Sequence, residues 1–86
     1  MKLVKLVFFA GVREALGSSA ETAELPADVN DIGALRRHFG ARGGPWSLLA
    51  SHPGWRFAVN REMADSADTP VNDGDEVAVF PPVTGG

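Results

Sequence analysis

Residues 71–86, VNDGDEVAVFPPVTGG, decide how this chain folds and how it ends. Asn72-Asp73-Gly74-Asp75 is a turn, because Asp and Gly tolerate positive φ. It delivers the chain into Glu76-Val77-Ala78-Val79-Phe80, which reads as a strand. Alternation puts Val77 and Val79 on its core face and Glu76, Ala78 and Phe80 on the other. Pro81 and Pro82 lack an N–H and fix φ, so they neither extend the strand ladder nor start a helix. Residues 81–86 therefore leave the domain as an extended arm, reaching on the order of 18 Å at roughly 3.1 Å per residue. Without a Cβ, Gly85 and Gly86 suit a channel too narrow for any other residue.

Outward from that strand, Leu3-Val4-Lys5-Leu6-Val7-Phe8-Phe9 is a second apolar run. Val4, Leu6 and Phe8 share one face; Lys5, Val7 and Phe9 share the other, which Lys5 marks as the wetter side. Residues 12–16 predict one helical turn stopped at Gly17, and residues 19–25 a weakly alternating edge strand stopped by Pro26. Ile32, Leu35 and Phe39 recur at the i, i+3, i+7 spacing of a helical face. Asp31 is the expected N-cap and Gly40 the expected stop, while Gly33 costs about 1 kcal/mol relative to Ala. Residues 42–45 form a loop, residues 46–49 a short helical turn, and residues 55–59 a strand with Trp55, Phe57 and Val59 aligned. Asn60-Arg61 then turns into a short strand near Met63.

The order is strand, strand, helix, strand, short strand, strand, with no internal repeat. One main helix on one mixed sheet, an α+β roll of the β-grasp kind, buries these faces most simply. The expected division is a domain over residues 1–80 and a tail over residues 81–86. With the first and last strands side by side, Val7, Phe9, Ala78 and Phe80 meet on the helix-free face, and an apolar patch there marks a partner site.

Eighty-six residues make one domain, and 44% hydrophobic with 22% charged residues is a folded composition. A net charge of -3 offers no basic surface for nucleic acid. No apolar run approaches the roughly 20 residues of a membrane span, and no signal peptide is visible, so a cytoplasmic protein is expected. Zero Cys excludes a disulfide, a Cys-ligated zinc or a thiol nucleophile of its own. His38 and His52 have no second ligand at metal-binding spacing and read as structural or solvated, so no metal is expected. Asp73, Asp75 and Glu76 lack a calcium loop, and Gly40, Gly43 and Gly44 lack the Lys-Ser/Thr of a phosphate loop.

The terminal carboxylate is ionised at neutral pH and a poor electrophile. A partner enzyme that adenylates it with ATP makes it reactive, and a sulfur donor displacing AMP leaves a thiocarboxylate. Gly86 is then the reactive group although no side chain takes part.

The tail VNDGDEVAVFPPVTGG closely resembles the end of the MoaD family, the small sulfur-carrying subunits of molybdopterin synthase. VKLVFFAGVREALG, IGALRRHF and FAVNRE resemble the same family, so the similarity runs end to end. It implies a ubiquitin-like β-grasp protein whose Gly86 is adenylated by an E1-like, MoeB-like enzyme and thiocarboxylated from a donor such as a cysteine desulfurase or rhodanese. The tail, Pro81, Pro82, Val83, Thr84 and Gly85, then threads into a large, MoaE-like subunit. There sulfur passes to cyclic pyranopterin monophosphate, precursor Z. Two sulfurs require two charged tails, in a heterotetramer whose large subunits supply the catalytic side chains. No cofactor is bound by the small subunit itself. Phe80, Phe9, Val7 and Ala78 are expected to dock, and Arg13, from the family's Arg-Glu after the first strand, either contacts a partner or pairs with Glu14. Val79 stands where the family often has a second aromatic, and the loop over residues 40–55 looks long for it. Three other functions stay open: a sulfur carrier for thiamine or tRNA thiolation, a ubiquitin-like modifier, and a plain interaction module with an inert tail.

Overall fold

The computed structural model describes residues 2–64 and 66–82. Its five strands are β1 (Lys2–Phe8), β2 (Ala20–Leu25), β3 (Arg56–Val59), β4 (Glu62–Met63) and β5 (Glu76–Phe80). They form one sheet in the order β2-β1-β5-β3-β4. The first and last strands pair in parallel at its centre, with Val7 opposite Ala78 and Phe8 opposite Val79. β2 and β3 flank them antiparallel, and β2 is the edge that Pro26 was expected to end.

The helix-facing side is a continuous apolar surface made by alternate residues: Val4, Leu6 and Phe8, then Val77 and Val79, then Phe57, all buried. Against it lies α2 (Ile32–Gly40), whose Ile32, Leu35 and Phe39 are 2% exposed or less, as their spacing requires. Asp31 caps α2 as expected: its Oδ1 accepts a hydrogen bond from the Ala34 N–H at 2.8 Å. At the far end the expectation fails by one residue. Gly40 is still helical and Ala41, in right-handed conformation, is the cap. The reason is packing: a Cβ at Gly40 would stand 2.5 Å from the Ala50 Cβ, so glycine is needed for close approach rather than as a stop.

The helical turn expected after β1 is longer than read, α1 (Ala10–Leu16), with Val12 and Leu16 buried and the Gly17 N–H on the Arg13 carbonyl. Residues 44–51, expected as loop and a single turn, are a 3₁₀ turn (Gly44–Ser47) running into α3 (Leu48–Ser51). Arg42 ties this segment down. Its guanidinium lies 4.4 Å from the Trp46 ring centroid and 4.7 Å from that of Phe39, and it makes an ion pair with Glu21 of the edge strand. Hydrogen bonding from Arg42 holds the Glu21 carboxyl below its ordinary range, against a smaller opposing effect of burial, and raises Arg42 in return.

The two tight connections follow sequence. Asn60 and Arg61 both take positive φ in the two-residue β3–β4 hairpin. Gly74, at φ +86°, closes the turn before β5, where the Asp75 carboxylate accepts from Asn72 N–H and Asn60 Nδ2 and the Asp73 carboxylate accepts from Leu3 N–H. These acids are turn-builders. His52 is also structural: its Nδ1 accepts from the Gly54 N–H at 3.0 Å and its ring stacks on Trp55. Among the described residues no helix is long and apolar enough to cross a membrane, and no three His, Cys, Asp or Glu gather to hold a metal.

Candidate functional site

Among the described residues no helix covers the second side of the sheet. Strand register assigns its residues: Leu3, Lys5 and Val7 from β1, Glu76, Ala78 and Phe80 from β5, Arg56 and Ala58 from β3, and Met63 from β4. At its centre Ala78 lies between Val7 on one side and Ala58 on the other, and Phe80 stands opposite Arg56. Val7, Ala78 and Phe80 are half-buried, while Leu3 and Met63 are about half exposed. Phe9 continues this side past the end of β1; its N–H bonds the Val79 carbonyl at 3.1 Å, and the residue is 48% exposed.

Three of the four expected docking residues, Val7, Ala78 and Phe80, are thus brought onto one face, and Phe9 borders it. Leu3 and Met63 extend the patch, and the sequence reading missed them. Leu3 was accessible to it, being two positions from Lys5 and four from Val7 on an alternating strand. Met63 was not, because its side depends on the hairpin register that sets it opposite Ala58. Exposed apolar side chains gathered on one side of a sheet are the feature by which a candidate interaction surface is recognised. Arg13 is exposed on α1, and among the described residues no ion pair joins it to Glu14 and no hydrogen bond ties its side chain to the patch.

The tail leaves from the same place. β5 is paired with β1 up to Val79 and with β3 up to Phe80, so the chain departs from a strand held by two neighbours rather than from a fraying edge. Pro81 is half-buried and Pro82 exposed. Val83, Thr84, Gly85 and Gly86, the rest of the expected tail and reactive end, lie outside the described residues. Beside Pro82, on the helix side of the sheet, opens a cleft of about 420 Å³ lined by Arg36, Trp55, Phe57 and Ala64 among others, a feature that no sequence pattern announces.

Residues 6–86 match the model of the ThiS family. Over 84 residues the chain is 45% identical to the molybdopterin synthase sulfur carrier subunit of Escherichia coli K12, covering 98% of this chain and all of that one. Among solved structures it resembles the putative molybdopterin converting factor subunit 1 from Pyrococcus furiosus, with a TM-score of 0.78 at 28% identity, over 96% of this chain and 100% of that one. It also resembles a chain in the protein–protein complex of subunits 1 and 2 of molybdopterin-converting factor from Helicobacter pylori, with a TM-score of 0.67 at 25% identity, over 98% and 99% of the two chains. A central strand paired on both sides, an open apolar face beside its end and end-to-end similarity lead to one assignment: the chain belongs to the ThiS family of ubiquitin-like β-grasp proteins, alongside relatives named molybdopterin synthase sulfur carrier subunits.

Proposed function

We propose that this chain is the sulfur carrier subunit of a molybdopterin synthase. The observation that carries the reading is the full-length match, 45% identity over 84 residues, to a protein of that name. The geometry supports it. A carrier that reacts through its terminal carboxylate needs a folded body, a face to dock by and a tail launched beside that face, and β5 joins all three.

In this reading an E1-like, MoeB-like enzyme transfers AMP from ATP to the Gly86 carboxylate, releasing pyrophosphate. A sulfur donor, such as a persulfide supplied by a cysteine desulfurase or rhodanese, then displaces AMP through its outer sulfur to form an acyl disulfide, and a second thiol cleaves that S–S bond, leaving the thiocarboxylate on Gly86 and a disulfide on the donor side. The patch around Ala78 and Phe80 docks on a large subunit, the partner class suggested by the two-subunit complex above. Pro81, Pro82, Val83, Thr84 and Gly85 thread the sulfur to precursor Z, in the cytoplasm. Two small and two large subunits deliver the two sulfurs, and the large subunit contributes the catalytic side chains. No cofactor binds the carrier; ATP is consumed by its activating enzyme.

The test is intact mass spectrometry of the chain after incubation with ATP, the activating enzyme and sulfide. Exchange of one terminal oxygen for sulfur, absent from a chain lacking Gly86, is expected. An unchanged mass, with an enzyme competent on a known carrier, refutes the reading. A mass that instead reports Gly86 joined to a target lysine assigns a protein modifier.

A further inference from the structure

The last paired residue of β5 is Phe80, opposite Arg56, yet the chain does not leave the line of the sheet there. Continuing the antiparallel register by two residues sets Pro81 beside Trp55 and Pro82 beside Gly54. The Pro82 ring does stand there, its Cγ 3.5 Å from where a Cβ on Gly54 would be. Neither proline has an N–H to donate, so the continuation leans on packing rather than on a ladder from the tail. Gly54 is the narrow point. A Cβ on it would also stand 3.1 Å from His52 Cε1, so a side chain at this position would be caught between the imidazole and the Pro82 ring.

The segment opposite Pro82 is fixed from several directions. His52 is held at three polar atoms: its N–H donates to the Leu48 carbonyl at 2.8 Å, its carbonyl accepts from Arg36 Nη2 at 3.3 Å, and its Nδ1 accepts from the Gly54 N–H at 3.0 Å. The last bond reaches two residues along the chain, as in an Asx turn, and Pro53 between the two fixes φ. The His52 ring stacks on Trp55, with 5.2 Å between centroids, and Trp55 is buried in the core. Arg36 Nε–H donates to the Leu49 carbonyl at 2.8 Å and so joins this corner to α2.

We propose that residues 52–55 form a rail that fixes the direction in which the tail leaves β5, with His52 and Gly54 as positioning residues for the delivery of Gly86. The role in delivery rests on the sulfur-carrier function proposed above; the rail itself does not. The physical effect is pre-organisation. A tail whose first two residues are already directed has fewer orientations to lose when a partner takes up the rest, and a misplacement of about 1 Å at a reacting group can slow a reaction by about 100-fold. Gly54 contributes by having no side chain to push Pro82 off the sheet line, and His52 by holding Gly54 where Pro82 meets it. Both act through Pro82. Because docking is assigned to the open face around Ala78, disturbing the rail slows delivery and leaves affinity nearly unchanged.

The test uses the full chain and three variants. Gly54→Val places a branched side chain in the space of the Pro82 ring, and since Gly54 has no positive φ the change strains no left-handed backbone. His52→Ala removes the acceptor of the Gly54 N–H, and His52→Asn restores it with a side-chain oxygen. NMR reads the rail directly: nuclear Overhauser effects between the Pro82 ring and the α-protons of Gly54 are expected in the unmodified parent, retained in His52→Asn and weakened in the other two. Each chain is then loaded as the thiocarboxylate, purified and mixed with the large subunit and precursor Z, and loss of its sulfur is followed by intact mass over a range of carrier concentrations. Gly54→Val and His52→Ala are expected to deliver sulfur about tenfold or more slowly at saturation, with KM within about threefold of the parent, and His52→Asn to deliver at close to the parent rate. Thermal melts separate loss of folding from loss of direction. A parent without the Pro82–Gly54 effects overturns the rail. Parent-like delivery by Gly54→Val, or a defect confined to KM, overturns the positioning role, and a His52→Asn chain as slow as His52→Ala overturns the turn as its lock. A parent that delivers no sulfur overturns the sulfur-carrier function and the positioning role with it, while the spectra still decide the rail.

Discussion

Replacing Ala78 with Asp separates docking from folding. Ala78 is half-buried on the open face, at the middle of the central strand, between Val7 and Ala58. In the free protein the new carboxylate faces solvent, so the cost to stability is the poor strand propensity of Asp, at most about 1 kcal/mol. Against a typical total of about 5–15 kcal/mol, the domain stays folded. In the proposed complex the same carboxylate is taken out of water beside Val7, Ala58 and Phe80, with Lys5 and Arg56 only diagonal to it on this face; a charge left without a matched partner at an interface costs about 2–5 kcal/mol. That corresponds to an affinity loss of about 30-fold to more than 1,000-fold. Thr22→Asp provides the control, since Thr22 is exposed on the same side of the sheet but at the β2 edge, opposite Lys5. Titration calorimetry of both variants against the large subunit, with thermal melts of each alone, makes the measurement. An Ala78→Asp chain that melts near the parent and binds within threefold of it would refute the assignment of the open face.

Asp31→Ala removes the acceptor of the Ala34 N–H and should cost about 1 kcal/mol, lowering the melting temperature by several degrees in a domain of this size; an unchanged melt refutes the cap. Gly40→Ala gains at most about 1 kcal/mol of helix propensity but drives a methyl into Ala50, an overpacking cost of about 1–3 kcal/mol, so urea denaturation should show a net loss and a gain would contradict the packing account. Glu21→Gln removes the ion pair with Arg42. Because the folded carboxyl lies below its ordinary value, its stabilisation is present above the unfolded value and disappears as pH falls through the folded one. Both side chains are about a third exposed, so the loss at pH 7 should be about 0.5 kcal/mol or less and should vanish in acid; an equal difference at both pH values would assign it to something other than charge.

Local patterns were legible where a single element decides them. The Ile32, Leu35, Phe39 spacing marks α2, Asp31 marks its start, and Asn72–Asp75 marks the turn before β5, since each depends on residues a few positions apart. The central pairing of β1 with β5 was legible only as a condition, because parallel pairing leaves no adjacent turn to announce it. Gly40 was misread because a helix stop and a close approach both call for glycine, and the approach of Ala50 is a tertiary fact. The short helices over residues 44–51 are fixed largely by the stacking of Arg42 on Trp46 and Phe39, which no periodicity expresses. The cleft beside Pro82 was wholly illegible, being assembled from α2, the segment entering β3, the segment after β4 and the tail.

Docking face and tail divide the energetics of delivery between them. Ordering one residue costs roughly 1–2 kcal/mol, so fixing the four residues beyond Pro82 in a channel opposes binding by on the order of 4–8 kcal/mol. Glycine makes this worse, having the most freedom to lose, yet a narrow channel leaves no alternative at the end of the tail. The tail's own contacts, with two side-chain-free residues, are a poor source of compensation. The sheet face is a good one, because its backbone is held by strands on both sides and its side chains lose little further freedom on association. Pro81 and Pro82 lower the remaining cost by arriving with φ already set. Under the proposed function, affinity therefore resides around Ala78 and Phe80, while Gly86 is left free to be modified, delivered and released. That division explains why the strand bearing the patch is also the strand that launches the tail: any other connection would add flexible residues between the surface that binds and the atom that reacts.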